Sequence, residues 1–309
     1  MASLRADDAV LRWLLEPAEP AMRYLASRDL LARRPSASDL GELRSEVSRD
    51  GWAAAILSRQ REGVWWERKD TAYWPKVNGA FWSLAVLADL VLTRDDARIA
   101  NAVEHILRIH LAKDGGFSPF GDPKPSHFCS TGILVRTLVQ LGYVDDPRTD
   151  RAVDWLLAAQ LEDGGWDCRP ARVGTLDAWE AVAAFAALPA SERSRDVRES
   201  IARAAEFYLD RRLLREGAPY PRWSQLHYPW HYWYDVLVGL DALSALGYGS
   251  DPRMEAALAL LRSKRSPDGR WKLEGTNGNL RLEPQGTPSK MVTFLATRVL
   301  GRLNRPARS

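Results

Sequence analysis

Two aspartates stand at the starts of apolar segments, where a carboxylate could take part in chemistry. Asp177 precedes AWEAVAAFAAL, and Asp235 precedes VLVGLDALSAL. A carboxylate at the N-terminus of a helix is stabilised as the anion, which suits charge stabilisation or metal binding and opposes a role as a strong acid. We therefore predict Asp177 and Asp235 as catalytic residues. The alternative is that both only cap their helices.

Cysteine and histidine are concentrated in three short stretches, SHFCSTG (126–132), DGGWDC (163–168) and HYPWHYWYD (227–235). Thiolate, imidazole and carboxylate groups are the ligands of tetrahedral zinc, which can activate a bound water or thiolate. The candidate ligands of zinc or another divalent metal are His127, Cys129, Cys168 and His231. No compact spacing such as CxxC occurs, and buried cysteine often acts as a small apolar residue, so a structural role stays open.

Tryptophan is unusually abundant, with 13 residues against 4 methionines and 5 histidines. Aromatic faces stabilise cations and bind long apolar chains, so aromatic residues near the starts of apolar segments predict a substrate cavity. The candidate substrate-binding residues are Trp82, Trp179, Trp223, Trp230, Trp233, Tyr234 and Arg136. Arg136 is included because it lies within the apolar stretch TGILVRTLVQL and needs an anionic partner or a cavity. Core packing is the alternative for the aromatic residues.

Further basic residues lie near the same segments. Together with Arg136, they are Lys76, Lys124, Arg222 and Lys290. Guanidinium and ammonium groups could bind a diphosphate. Isolated lysines and arginines are more often solvated surface charges, and that alternative remains for all of them except Arg136.

These candidates lie in a sequence that repeats itself. Residues 142–166 (GYVDDPRTDRAVDWLLAAQLEDGGW) and 247–271 (GYGSDPRMEAALALLRSKRSPDGRW) align without a gap. Weaker copies end at Trp66 and Phe117, so the period is about 50 residues. Each unit combines an amphipathic helix that begins at Asp-Pro with a helix that is apolar nearly all round. In this register Asp177 and Asp235, like Ser130, fall at the start of an apolar helix.

The alternation predicts an all-α chain in which apolar helices are covered by amphipathic ones. No segment shows sustained strand alternation, and no linker divides the sequence. We expect a single domain over 1–309, with less regular helices over 1–60 and regular repeats over 61–309. Helices that are apolar nearly all round favour a closed double ring with a central cavity over an open solenoid.

Composition excludes several functional classes. A chain of 309 residues that is 46% hydrophobic can bury a large core. A formal net charge of +3, spread along the sequence, argues against a nucleic-acid partner. Two cysteines exclude a disulfide framework. The N-terminus carries acidic residues, and no stretch approaches the roughly 20 apolar residues of a membrane span, so we expect a cytoplasmic protein without a transmembrane segment.

The repeat resembles that of the prenyltransferase and squalene-cyclase superfamily. The motif QLEDGGW (160–166), with its relatives KDGGF (113–117) and PDGRW (267–271), carries the resemblance, which covers roughly 50–303. It implies an α/α toroid and a terpene cyclase-like or prenyltransferase-like enzyme that acts on an isoprenoid or other apolar substrate. In that superfamily the Gln and Trp of the motif tie the end of an outer helix to its neighbour, which implies a structural role for Gln160 and Trp166.

The resemblance does not extend to the acidic motifs of these enzymes. The pairs at 95–96 and 145–146 supply neither Asp-x-Asp-Asp nor DDxxD. Protein prenyltransferases hold zinc through an Asp, a Cys and a His at the starts of such helices, and the resemblance extends this set to Cys129, His231 and either Asp177 or Asp235. The alternative function is a non-catalytic toroid that binds a lipid, a peptide or a protein partner.

Overall fold

The computed structural model describes residues 5–33, 35–167, 173–214, 221–276, 278 and 280–303. The helices are α1 (Arg5–Leu14), α2 (Pro20–Asp29), α3 (Ala37–Val47), α4 (Gly51–Leu57), α5 (Ala80–Asp89), α6 (Ala97–His110), α7 (Phe128–Gln140), α8 (Pro147–Ala158), α9 (Trp179–Ala187), α10 (Arg195–Asp210), α11 (Val236–Ala245), α12 (Glu255–Ser263) and α13 (Lys290–Leu303). Within these ranges the all-α prediction is confirmed, since β-pairing is limited to isolated bridges. None of the described helices has both the length and the apolar character needed to cross a bilayer.

Two sets of helices alternate along the chain. The lining helices, so called because each contributes side chains to one cavity, are α2, α5, α7, α9, α11 and α13. From α5 to α13 each lining helix contacts the next, and α13 contacts α2. The covering helices α6, α8, α10 and α12 pack on α5, α7, α9 and α11, respectively. The predicted alternation of apolar and amphipathic helices is therefore present in the structure.

The repeated Asp-Pro-Arg sequence begins a covering helix and links it to the previous one. Asp146 accepts a hydrogen bond from the main-chain N–H of Arg148 at 2.8 Å, so it caps α8 as the repeat predicts. The guanidinium of Arg148 pairs with Asp146 and reaches Glu104 of α6 at 2.8 Å. Arg253 forms the same arrangement with Asp251 and with two acidic residues of α10. One tripeptide thus supplies both the helix cap and the contact between repeats.

The tryptophans at the ends of the repeats are buried and hydrogen-bonded. Trp66, Trp166 and Trp271 are buried, and each donates its Nε1–H to the main-chain carbonyl ten residues earlier, at 2.9, 3.0 and 2.8 Å. Gln160 links α8 to α10, since its Nε2 donates to the Ser200 carbonyl at 3.0 Å and its Oε1 accepts from the Ser200 hydroxyl at 2.8 Å. The structural role implied for Gln160 and Trp166 is confirmed.

We expect Trp166→Phe to lower the free energy of unfolding by about 1–3 kcal/mol, because the buried carbonyl of Leu156 loses its donor. Urea unfolding followed by circular dichroism measures the change. The matched control is Trp74→Phe, since the Trp74 side chain is 41% exposed. That change should stay within about 0.5 kcal/mol. Equal effects at the two positions would show that the hydrogen bond contributes nothing.

Candidate functional site

The six lining helices surround a cavity that lies toward the C-terminal ends of α5, α7, α9 and α11. Asp89, Gln140, Ala187 and Ala245, the last residues of α5, α7, α9 and α11, all contribute to its walls. The cavity volume is about 180 Å³, and an adjoining region of about 270 Å³ shares several of the same lining residues. Both regions are partly open to solvent.

Small side chains create the space, and larger ones form the floor. Ala183 of α9 and Ala242 of α11 face the cavity where longer side chains would fill it. At the floor lie Tyr228 and Trp230, which belong to the segment before α11. The Nε1–H of Trp230 donates to the main-chain carbonyl of His227 at 3.1 Å, which holds the indole in place.

Charged residues are concentrated along the walls of this cavity. The cavity-lining charged set consists of Arg28, Arg44, Arg136, Arg298, Arg302, Asp89 and Asp241. Such charges in a half-buried space are stable only when they are paired or bind a ligand. The cavity is therefore more polar than the aromatic substrate cavity that the tryptophans predict.

Arg136 finds an anionic partner near the floor. Its Nη2 lies 2.5 Å from Oδ1 of Asp89, and both side chains are 12% exposed. Gln140 donates to Asp89 at 3.3 Å, and the Tyr228 hydroxyl donates to the other carboxylate oxygen at 3.3 Å. Burial raises the pKa of Tyr228 well above its ordinary value, and the negative charge of Asp89 adds to this effect. The sequence predicts that Arg136 needs an anionic partner or a cavity. In the structure it has both, since it pairs with Asp89 and lines the central cavity.

A second ion-pair group connects α11 and α13. Asp241 of α11 accepts hydrogen bonds from Nε and Nη2 of Arg298 and from Nη1 of Arg302, at 2.8–3.1 Å. Burial acts to raise the pKa of Asp241, but the charges of Arg298 and Arg302 outweigh it, and the pKa lies below the ordinary value. Arg28 forms a two-bond pair with Asp29, at 2.7 and 2.8 Å.

The predicted catalytic aspartates lie elsewhere. Asp235 is completely buried, and it accepts hydrogen bonds from the Val238 N–H, the His227 N–H and His227 Nδ1, at 3.0, 2.8 and 2.7 Å. It therefore caps α11 and orients His227, which fits the alternative interpretation. Asp177 is exposed and accepts a hydrogen bond from Nε1 of Trp223 at 2.8 Å. It does not cap α9, whose N-cap residue is Ala178.

Most of the predicted substrate-binding aromatics form a packed layer at the starts of the lining helices. Trp82, Trp179, Trp223 and Tyr234 are at most 5% exposed. Edge contacts connect Trp179 to Trp230 and Trp223 to Tyr234, with ring centroids 6.2 and 5.9 Å apart. Trp233 is half-buried, with the Arg222 guanidinium 4.2 Å from its ring. Of the predicted substrate-binding residues, Trp230 and Arg136 line the central cavity.

Two of the other basic candidates, Lys76 and Lys290, contact partners outside the central cavity. The Nζ of Lys76 lies 4.1 Å from the centre of the Tyr232 ring. Lys290 pairs with Glu16 at 2.9 Å. Neither lines the central cavity, so the two basic groups are used in local packing.

The predicted metal ligands form no cluster in the described part of the chain. His127 is the N-cap residue of α7, Cys129 is buried in the first turn of that helix, and His231 is buried beside Trp82. Cys168 lies outside the described residues. No group of three or more His, Cys, Asp or Glu side chains there is arranged to hold a metal ion. The zinc prediction gains no support from these residues.

The structure also reveals polar residues that the sequence analysis missed. Asp89, Asp241 and Arg298 lie within apolar helices, as Arg136 does, and the argument that selected Arg136 applies to each of them. His231 is a different case, because it is completely buried and neither ring nitrogen has a partner among the described residues. Burial, and secondarily the neighbouring His227, lower the pKa of His231 to about 3.

Comparison with known proteins finds similarity in three-dimensional structure. No protein-family model matches it, and no curated protein matches its sequence. A solved structure of a protein from Actinoplanes is 16% identical with a TM-score of 0.50, over 97% of this chain and all of that one. The type II terpene cyclase MstE R337A from Scytonema, in complex with geranylgeranyl dihydroxybenzoate, is also 16% identical with a TM-score of 0.50, over 96% of this chain and 95% of that one. The chain thus has a terpene cyclase-like fold.

Proposed function

We propose that this protein is a terpene cyclase-like enzyme that acts on an isoprenoid or other largely apolar small molecule. In this proposal the helices form an α/α toroid, and the cavity between the lining helices is the active site. The observation that carries the proposal is that cavity, bounded by all six lining helices in a terpene cyclase-like fold. A neighbour of the same fold is a type II terpene cyclase in complex with geranylgeranyl dihydroxybenzoate.

Apolar walls in one half of the cavity support an isoprenoid ligand. Leu25 of α2 and Met291, Phe294 and Leu295 of α13 line that half, opposite Ala88 of α5. Burying apolar surface contributes about 25 cal/mol per Å², so a chain of isoprene units gains affinity along this wall. Trp230 adds an aromatic face at the floor.

A second candidate function is ligand binding without turnover. Two aspartates, Asp89 and Asp241, line the cavity within the described residues, and each forms an ion pair with an arginine. Burial acts to raise the pKa of Asp241, but the charges of Arg298 and Arg302 hold it below the ordinary value, so this carboxyl does not suit protonation of an alkene. This observation favours a lipid-binding protein over an acid-initiated cyclase.

Filling the cavity tests both candidates. We expect Ala183→Trp to weaken binding of geranylgeraniol or geranylgeranyl diphosphate at least about tenfold, because the indole occupies the ligand space. Isothermal titration calorimetry measures binding, and gas chromatography with mass spectrometry detects products from these compounds and from squalene. The matched control is Ala158→Trp on the exposed end of α8, which should bind like the unmodified protein.

The outcomes separate the two candidates. Products that disappear in Ala183→Trp support the enzyme, whereas binding without products supports the second candidate. If the unmodified protein binds none of the isoprenoids, or if both alanine variants behave alike, the central cavity is not an isoprenoid site.

A further inference from the structure

The outer face of α13 carries a groove that is separate from the central cavity. The groove has a volume of about 530 Å³ and runs between the end of α12 and the C-terminal half of α13. None of the described residues that line it also lines the central cavity. We propose that this groove is a docking site for an amphipathic helix of a partner protein, and that the helix presents acidic residues to Arg262 and Arg265.

The repeat pattern shows which kind of element occupies such a groove. From α5 to α11 each lining helix is packed by the covering helix that follows it in the sequence. The described part of the chain contains no covering helix after α13, which packs instead on α11, α2 and α1. Of these, α1 reaches the start of α13, where Trp13 lies beside Lys290, and none of its described residues lines the groove. The outer face of α13 is therefore open where the other lining helices are covered.

Glutamine side chains join successive covering elements in the earlier repeats. Gln160, just after α8, donates to the main-chain carbonyl of Ser200 in α10 at 3.0 Å. Gln60, just after α4, donates in the same way to the carbonyl of Arg98 in α6 at 3.1 Å. A side chain at this position thus marks the place where the next covering helix packs.

Arg265 holds this position in the last repeat. In the alignment of residues 142–166 with 247–271 it stands opposite Gln160. Its Nε donates to the Gly269 carbonyl at 3.2 Å, as Gln160 donates to the Gly164 carbonyl at 2.9 Å. Arg265 and Trp271, the equivalent of Trp166, both line the groove. The groove therefore corresponds to the place that α10 occupies in the preceding repeat.

The surface of the groove suits a packed helix. Thr297, Leu300 and Gly301 follow one another at helical spacing and lie on the face of α13 opposite to Phe294 and Leu295, which line the central cavity. All three groove residues are at least partly exposed. A Cβ atom added at Gly301 would meet no other atom within 4 Å, so the space above it is open. A helix can approach α13 closely along this line.

Arg265 also determines the chemistry of the helix that the groove accepts. In the preceding repeat Gln160 is both donor and acceptor, since its Oε1 accepts from the Ser200 hydroxyl at 2.8 Å and from the Arg203 guanidinium. A guanidinium at the same position only donates. It would repel an arginine on the incoming helix, and a carboxylate is its strongest acceptor. We expect Asp or Glu at the positions that Ser200 and Arg203 hold in α10.

A second positive charge strengthens this preference. Arg262 lies one turn before Arg265, and these two are the charged residues in the described lining of the groove. Arg262 pairs with Glu255 of its own helix at 2.9 Å, but the two side chains are 49% and 65% exposed, so this pair is weak. Both arginines thus favour an acidic helix face.

The same charges oppose a second copy of this chain as the occupant. A symmetric dimer uses the same surface on both subunits. Such a dimer through the groove would bring Arg262 and Arg265 of both copies to one interface, where like charges repel. The charge pattern therefore favours a partner helix of opposite sign.

The chain itself supplies a probe, because α10 fills the equivalent place. The acidic probe is a labelled peptide of residues 194–210 that carries Ser200→Glu and Arg203→Glu. The control peptides are the unmodified sequence and a basic peptide with Ser200→Lys. Fluorescence anisotropy with the full chain measures binding. We expect the acidic peptide to bind at least about tenfold more tightly than either control, and added salt to reduce this difference.

Two kinds of variant locate the peptide. Gly301→Trp should weaken the acidic peptide at least about tenfold, because the indole fills the open space on α13. The matched control is Gly41→Trp on α3, since Gly41 is also exposed and a Cβ there also meets no atom within 4 Å. Arg262→Glu combined with Arg265→Glu should reverse the preference toward the basic peptide.

The Arg265 guanidinium carbon also lies 5.3 Å from the centre of the Trp271 ring, so thermal unfolding followed by circular dichroism checks the double variant. If that variant unfolds, Arg262→Glu alone still tests the charge, since it should reduce the preference for the acidic peptide several-fold. Acidic-peptide binding that depends on both Gly301 and the arginines supports the proposal. Failure of the acidic peptide to bind, or equal binding of all three peptides, overturns it.

Two further results would assign the groove to a different occupant. If light scattering finds a dimer that Gly301→Trp converts to a monomer, a second copy occupies the groove and the partner-helix proposal is wrong. If the acidic peptide binds only after residues 304–309 are removed, the end of this chain covers the groove, and the proposal is wrong as well. A monomer that binds the acidic peptide with residues 304–309 in place is the expected result.

Discussion

The Asp241→Ala variant is expected to lose about 3–5 kcal/mol of the free energy of unfolding. Asp241 is the shared acceptor of Arg298 and Arg302, whose side chains are only 16% and 27% exposed. Removing the carboxylate leaves two guanidinium groups close together in a space that water reaches poorly. Urea unfolding at neutral pH, with fluorescence of the tryptophans as the signal, measures the loss.

The control for this prediction is the same substitution in an exposed ion pair. Asp145 pairs with Arg94 at 2.9 Å, but its side chain is 66% exposed, so Asp145→Ala should change the free energy of unfolding far less than Asp241→Ala does. A second variant removes the buried charges together, with Asp241→Leu, Arg298→Met and Arg302→Met combined. It should recover most of the stability, since replacing a complete buried ion group by apolar residues is often neutral. A small effect of Asp241→Ala would show that solvent screens this group.

His231 is expected to make the protein less stable in mild acid. Its pKa is lowered to about 3 in the folded state, mainly by burial, whereas an unfolded histidine titrates near about 6.5. Above about pH 6.5 both states are neutral at this residue. As the pH falls further, the unfolded state binds a proton that the folded state does not, so folding loses about 1.4 kcal/mol per pH unit down to about pH 3. At pH 4.5 the loss attributable to His231 reaches about 3 kcal/mol.

The measurement is the difference between the unmodified protein and His231→Phe across this range, because other groups titrate as well. Glu19 acts in the opposite direction, since partial burial raises its pKa to about 7 and folding gains stability as this group is protonated. The two effects partly cancel in the unmodified protein. We expect His231→Phe and His231→Gln to gain stability relative to it as the pH falls from 7.5 to 4.5. Parallel curves would mean that His231 is protonated in the folded protein.

Sequence reasoning succeeded where the interactions are local. The caps at Asp146 and Asp251 connect residues two positions apart, and the Trp166 hydrogen bond spans ten. Short-range hydrogen bonds of this kind depend on residue type and spacing, both of which the printed sequence contains. The alternation of apolar and amphipathic helices can also be predicted from the sequence. A helix that is buried on several sides needs apolar residues all round, and this pattern is visible in the residue types.

The candidate site was only partly predictable. Arg136 was identified because a charge within an apolar helix requires an explanation, and the structure places it on the central cavity. The position of Asp235 at the start of a lining helix predicts a catalytic role, but that end is filled by large aromatic side chains such as Trp82 and Trp179. The open space lies toward the opposite end, where Ala183 and Ala242 are among the lining residues. Which end of a helix is open depends on the combined volume of side chains from several helices.

By itself, the sequence determined the helix-pair repeat, the caps, the closing tryptophans and the presence of charges that apolar helices must accommodate. The tertiary structure decided which of those charges meet. Arg136 pairs with Asp89 across 47 positions of the chain, and Arg298 pairs with Asp241 across 57. Pairs at such separations form only when α5 packs beside α7 and α11 beside α13. The physical reason is that the free energy of a buried charge depends on its neighbours in space, and the packing of whole helices selects those neighbours.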